Sequence, residues 1–312
     1  MMFNTLVNPK TEKDLYPIIC DLIDISNPYY ALQNLSEIGS GEVYAEIDVE
    51  RLEYDELSPI SQAEAGRHLA ILGSCALSLI NKKKSKHYYL ASKASTLLHT
   101  SDISPFNGQQ RRRLKCFAKA IDLDEKTRTG SVSSRIYTEN DQLILTLDLT
   151  YLILQEALFQ KMFRRQKTKV LQDNLIVDNP YKFPVTLKEI SITENRLNCT
   201  LGKIEPYQCI GHFPSYPALP VAILSSALLD SAGIFLKSRY PEYWKIRINQ
   251  VNVMAKKLAF AGEQVHIETN LLESSGKTYH FSCHALDEDK NLIGKIYTSI
   301  DVITQSDIKP NE

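Results

Sequence analysis

Two stretches of alternating apolar and polar residues stand at matching places in the two halves of the chain. In the first, Val43, Ala45, Ile47 and Val49 alternate with polar neighbours. In the second, Leu197, Cys199 and Leu201 do the same, 154 residues later. Period-two alternation is the pattern of a strand with one face buried. Each stretch leads through a loop into a long apolar segment too long and too regular for a strand. The first is a predicted helix from Ser58 to Ile80, with Ser58-Pro59 as its cap and first turn; the second runs from Pro220 to Lys237. Strand-like segments follow both helices: Lys86–Leu98, Arg113–Asp122, Ser131–Glu139 and Gln142–Leu154 after the first; Tyr243–Met254, Gln264–Leu272, Thr278–Leu286 and Asn291–Val302 after the second. The pattern predicts an α+β fold of antiparallel sheets, one strand–helix–strands unit used twice. The polar, basic run Met162–Asn179 reads as the join, giving domains over 1–165 and 175–312.

Between the second alternating stretch and its helix lies Gly211-His212-Phe213-Pro214-Ser215-Tyr216-Pro217-Ala218-Leu219-Pro220. Each proline fixes its own φ and biases the residue before it toward extended geometry. His212 therefore sits in a stiff loop, and Pro220 suits a helix start, where a missing N–H costs nothing.

This run resembles the signature of the hotdog-fold 3-hydroxyacyl-acyl-carrier-protein dehydratases, roughly G-H-F-P-x-x-P-x-x-P-G-V-L followed by an acidic residue. The resemblance implies a tandem double hotdog: two antiparallel sheets, each wrapped around a long central helix. It also implies a base, the loop His, and an acid on the central helix of the opposite half. Six residues after Pro220 the acid position holds Ser226, so the second half carries a base without an acid. The first helix carries Glu64, six after Ser58, with His68 one turn on, but its preceding loop is about eight residues shorter and has no His. One composite site is expected, with His212 as base and Glu64 as acid. A second, vacant site is expected at Ser226 and Asp230, closed by side chains. His68, Val221, Tyr216 and Phe213 are expected at the substrate. Val221 replaces the family's glycine and brings a branched side chain to the helix N-terminus that would bind the thioester carbonyl.

Taken without the resemblance, these residues have plainer roles. Glu64 beside alanines fits a solvent-facing position, His68 a surface partner four residues on, and His212 a hydrogen-bonded structural histidine. The resemblance leaves three activities open: dehydration of 3-hydroxyacyl thioesters, thioester hydrolysis with Glu64 activating water, and acyl or carrier binding without catalysis.

Composition narrows the partners. The 312 residues carry a formal charge of -1, so no global field draws the protein to nucleic acid or membrane. Acyl carrier protein or coenzyme A thioesters are the implied partners, and Arg111, Arg112 and Arg113 are candidate contacts for their acidic or phosphate groups. The six cysteines form no C-x-x-C pair, and Cys209-x-x-His212 lacks a second pair. No metal and no cofactor are expected. No signal peptide is read at the N-terminus, and the apolar runs Leu69–Leu79 and Val221–Leu236 read as too short or interrupted to span a bilayer. A cytoplasmic monomeric pseudo-dimer or homodimer is expected.

Overall fold

The computed structural model describes residues 15–51, 55–99, 113–168, 178–240 and 243–304. The first half runs α1 (Tyr16–Ile23), β1 (Gln33–Gly39), β2 (Glu42–Asp48), α2 (Gln62–Ile80), β3 (His87–Leu98), β4 (Arg113–Asp124), β5 (Thr129–Tyr137), β6 (Leu143–Gln155) and α3 (Glu156–Met162). The second runs β7 (Lys188–Ile192), β8 (Arg196–Lys203), α4 (Val221–Arg239), β9 (Tyr243–Ala255), β10 (Gln264–Ser275), β11 (Thr278–Leu286) and β12 (Leu292–Thr304).

The two sheets expected from the sequence, one in each half, are continuous. Twelve strands form a continuous sheet in the order β1-β2-β4-β5-β6-β3-β9-β12-β11-β10-β8-β7. The halves join where β3 pairs antiparallel with β9, Lys93 opposite Met254 through Leu97 opposite Gln250. Joining edge to edge satisfies two rows of backbone N–H and C=O groups that would otherwise lie open.

The alternation holds at both repeats: Val43, Ala45, Ile47, Leu197, Cys199 and Leu201 are all buried. Helix α2 packs on β2–β6 and α4 on β8–β12, and the two helices touch. Because α2 lies between sheet and neighbouring helix, even its polar Gln62, Glu64, Arg67 and His68 are buried. The cap of the first helix lies three residues later than expected. Ser58, Pro59 and Ile60 form a bend, and the cap is Ser61, whose hydroxyl accepts the Glu64 N–H at 3.3 Å. Helix α4 is 19 residues long and apolar enough to cross a membrane by length and composition, contrary to the sequence reading; 67% of its apolar window is buried in the fold.

Each half has its own apolar core, with one exchange. Phe213, Tyr216, Ala218 and Phe260 of the second half belong to the core of the first. The proline loop carrying His212 is thus planted in the opposite half.

Candidate active site at the junction of the halves

The His212 loop is held by backbone before any side chain acts. Gly211 has φ +81°, and a Cβ there would lie 2.2 Å from the Ser26 carbonyl oxygen and 2.9 Å from the Tyr29 nitrogen, so only glycine fits. The Ser26 N–H donates to the Gly211 carbonyl at 2.9 Å, and Ile25 and His212 form an antiparallel bridge. Next to it, Phe213 takes φ +55°, a conformation a bulky residue keeps only when its surroundings enforce it. Those surroundings are an aromatic cluster. Phe213 meets the Tyr88 ring at 5.1 Å and the Phe159 ring at 5.6 Å; Tyr216 meets Phe159 at 5.2 Å; Tyr88 and Phe159 stack at 3.6 Å. Burying one such ring contributes roughly 1.5–3 kcal/mol. Phe213 and Tyr216, expected at the substrate, are therefore loop anchors buried to 1% exposure.

His212 Nδ1 lies 2.8 Å from the Ala218 carbonyl oxygen. A carbonyl only accepts, so Nδ1 carries the hydrogen and Nε2 presents its lone pair. The Tyr29 ring packs edge-on against the imidazole at 4.9 Å. Burial pushes the His212 pKa down to about 4, against the opposing pull of the Ala218 hydrogen bond and of Asp24. The ring is neutral at pH 7.

Glu64, in the first turn of α2, turns inward. Its carboxylate accepts the backbone N–H of Glu50 at 2.6 Å and of Arg51 at 3.3 Å, and His68 Nε2 lies 3.7 Å away. His68 is fully buried, its Nδ1 has no partner among the described residues, and burial followed by the Arg67 charge lowers its pKa. The plainer sequence readings, a solvent-facing Glu64 and a surface His68, do not hold, because both side chains are buried.

Residues that the sequence did not single out tie the two together. Arg67, 1% exposed, pairs with Glu50 and lies over the rings of Tyr29 at 5.9 Å and Tyr181 at 5.2 Å. Its Nη2 is 3.4 Å from His68 Nε2. Contacts from His212 to Glu64 thus run through Tyr29, Arg67 and His68, and no direct hydrogen bond or ion pair joins His212 to Glu64. Arg51 is the second such residue. Its Nη1 donates to Ser226 Oγ at 2.7 Å, and its Nη2 reaches both Asp230 oxygens at 3.3 Å. Glu56 is the third: its carboxylate accepts the Gln62 N–H at 2.8 Å, and burial, reinforced by Asp230 and Glu64, raises its pKa to about 7 despite Arg51. No periodicity or motif marks these positions, since each matters only through partners far along the chain.

A cavity of about 20 Å³ lies between the helices, lined by Arg51, Ala63, Glu64, Arg67, Tyr181, Phe183, Val185, Ile223 and Ser226. That is room for about one water. Glu64 and Ser226, expected in separate sites, line this same cavity. The contacts that fill the second position are those of Arg51 to Ser226 and Asp230. Val221 opens α4 but does not line the cavity; Ile223 does. Arg111 and Arg112 lie outside the described residues, and Arg113 is engaged by Glu46 and Asp48. Ligand atoms of Glu50, Glu64 and His68 lie within 4.8 Å of one another, yet the Arg67 guanidinium already supplies the positive charge there. Burial raises the Cys209 thiol to about 12.

No family model matches the chain. A stretch covering 40% of it is 25% identical over 135 residues to the 3-hydroxyacyl-[acyl-carrier-protein] dehydratase FabZ of Acinetobacter baylyi, covering 86% of that protein. Among solved structures, a candidate oleoyl thioesterase from Lactobacillus plantarum superimposes with a TM-score of 0.57 at 10% identity, over 86% of this chain and all of that one. A protein with a hotdog fold from Alicyclobacillus acidocaldarius superimposes at 0.51 with 9% identity, over 92% of this chain and 98% of that one. The chain has the hotdog fold, and at these identities the structural likeness speaks to fold alone.

Proposed function

We propose that the protein acts on acyl thioesters of a carrier protein or coenzyme A, and that its reaction is the dehydration of 3-hydroxyacyl thioesters. The observation that carries this reading is His212. Its Nδ1–H is fixed on the Ala218 carbonyl, which puts the lone pair on Nε2, and burial keeps the ring neutral. In the proposed reaction, Nε2 takes the C2 proton of the substrate. The C3–O bond breaks as Glu64 delivers a proton to the hydroxyl, which leaves as water, giving a 2-enoyl thioester. The local likeness to a 3-hydroxyacyl-acyl-carrier-protein dehydratase supports the same reading.

One observation favours thioester hydrolysis as a second reading. The water-sized cavity is lined by the Glu64 carboxylate but not by His212, and a carboxylate against a single water is what direct hydrolysis requires. The products separate the two. Purified protein is given a 3-hydroxyacyl thioester, and enoyl absorbance and free thiol are followed together. Dehydration predicts enoyl product without thiol release, with His212→Ala and Glu64→Gln each lowering the rate about 10²–10⁴-fold. Thiol release without enoyl product would replace the first reading with the second.

A further inference from the structure

We infer that Tyr181, just after the segment joining the two halves, limits how far an acyl chain can extend into the space between α2 and α4. The inference rests on the acyl-thioester reading above and adds a specificity residue to it. The cavity wall is polar at Glu64, Arg67, Arg51 and Ser226, and apolar toward Tyr181, Val185 and Phe183. Phe183 is 65% exposed while Tyr181 is 5% exposed. The lining thus combines a buried carboxylate with apolar side chains, one of them, Phe183, exposed at the surface, as an acyl chain with a reacting polar end requires.

At about 20 Å³ the space holds one water and no extended alkyl chain. Tyr181 is the large buried side chain of that apolar wall, and it is held from both halves. Its hydroxyl donates to the Ile210 carbonyl at 2.7 Å, two residues before His212. Its ring meets the edge of Tyr29 at 5.2 Å and lies under the Arg67 guanidinium. Its N–H donates to Asn179 Oδ1 at 2.9 Å, and Asn179 in turn donates to Glu50 at 2.8 Å. A ring held at this many points does not yield to a methylene chain at low cost, so its bulk caps the acyl length.

The test compares wild type, Tyr181→Ala, Tyr181→Leu and Tyr181→Phe. Calorimetry with butanoyl- and dodecanoyl-coenzyme A gives the ratio of affinities, and turnover is followed with 3-hydroxyacyl thioesters of four and twelve carbons. Tyr181→Ala should shift the ratio toward the long chain at least tenfold, since even one methylene in an apolar pocket is discriminated about 10–200-fold. Tyr181→Phe keeps the ring and should leave the ratio unchanged. Tyr181→Leu, a smaller change that preserves an apolar filler, gives an intermediate shift and serves if the alanine variant does not fold. An unchanged ratio in folded Tyr181→Ala or Tyr181→Leu protein overturns the inference, even if turnover proceeds. A shifted ratio without turnover of any thioester upholds the role of Tyr181 and removes the dehydration reading. No binding of either probe by any variant removes both.

Discussion

Protonating His212 should cost this protein stability and activity in a pH range set by its burial. The folded-state pKa is about 4, whereas an unfolded histidine titrates near 6.5. Because the pKa is depressed on folding, the unfolded chain binds the proton first as pH falls. The contribution of His212 to stability is therefore complete above pH 6.5 and is lost between about pH 6.5 and 4. With one pKa unit worth 1.36 kcal/mol, the loss from this residue between pH 7 and pH 5 is about 2 kcal/mol. Urea unfolding of wild type and His212→Gln at pH 7 and pH 5 isolates it, because other titrating groups are common to both proteins. The wild type should lose about 2 kcal/mol more than the variant over that step. A base with this pKa also stays neutral through pH 5–7, so kcat/KM for a 3-hydroxyacyl thioester should show no fall from His212 until below pH 5. Equal pH dependence in the two proteins, together with a histidine inflection near pH 6.5 in kcat/KM, would refute a buried neutral His212.

Other outcomes follow from the geometry around it. Arg51→Ala leaves Asp230 and Ser226 facing each other without the guanidinium and should lower stability by about 2 kcal/mol in chemical unfolding, below the ~3–5 kcal/mol of fully buried pairs because Asp230 is partly exposed. Asp230→Asn in that background should recover part of the loss, and no recovery would show that the pair does not carry the effect. Gly211→Ala drives a methyl into the Ser26 carbonyl and should cost upwards of about 1 kcal/mol, the scale of a residue forced into an unsuitable φ; wild-type melting behaviour in this variant would remove the argument for the loop anchor.

The hydrophobic pattern was enough to locate both long helices and ten strands, because burial period is a local property. It missed β1 and β7, the two outermost strands, where β7 is exposed throughout and half-burial leaves no alternation to read. The resemblance around His212 gave the hotdog fold and the candidate base. Glu64 was found by spacing from the helix start, even though the helix itself begins at Gln62 and not at Ser58.

What the amino-acid order determined by itself was the set of elements and the stiffness of one loop: prolines at 214, 217 and 220 and glycine at 211 act through φ and ψ, which belong to single residues. What only tertiary structure decided was which chemistry surrounds that loop. Sheet continuity rests on β3 meeting β9, and the site on Arg51 meeting Ser226 from 175 residues away and Tyr29 meeting His212 across the halves. A buried guanidinium or tyrosine is placed by the need to satisfy its donors and fill space among partners distant in the chain. That need leaves no periodic trace in the residues on either side of it, so Arg67, Glu56 and Tyr181 became visible only when the two halves closed over them.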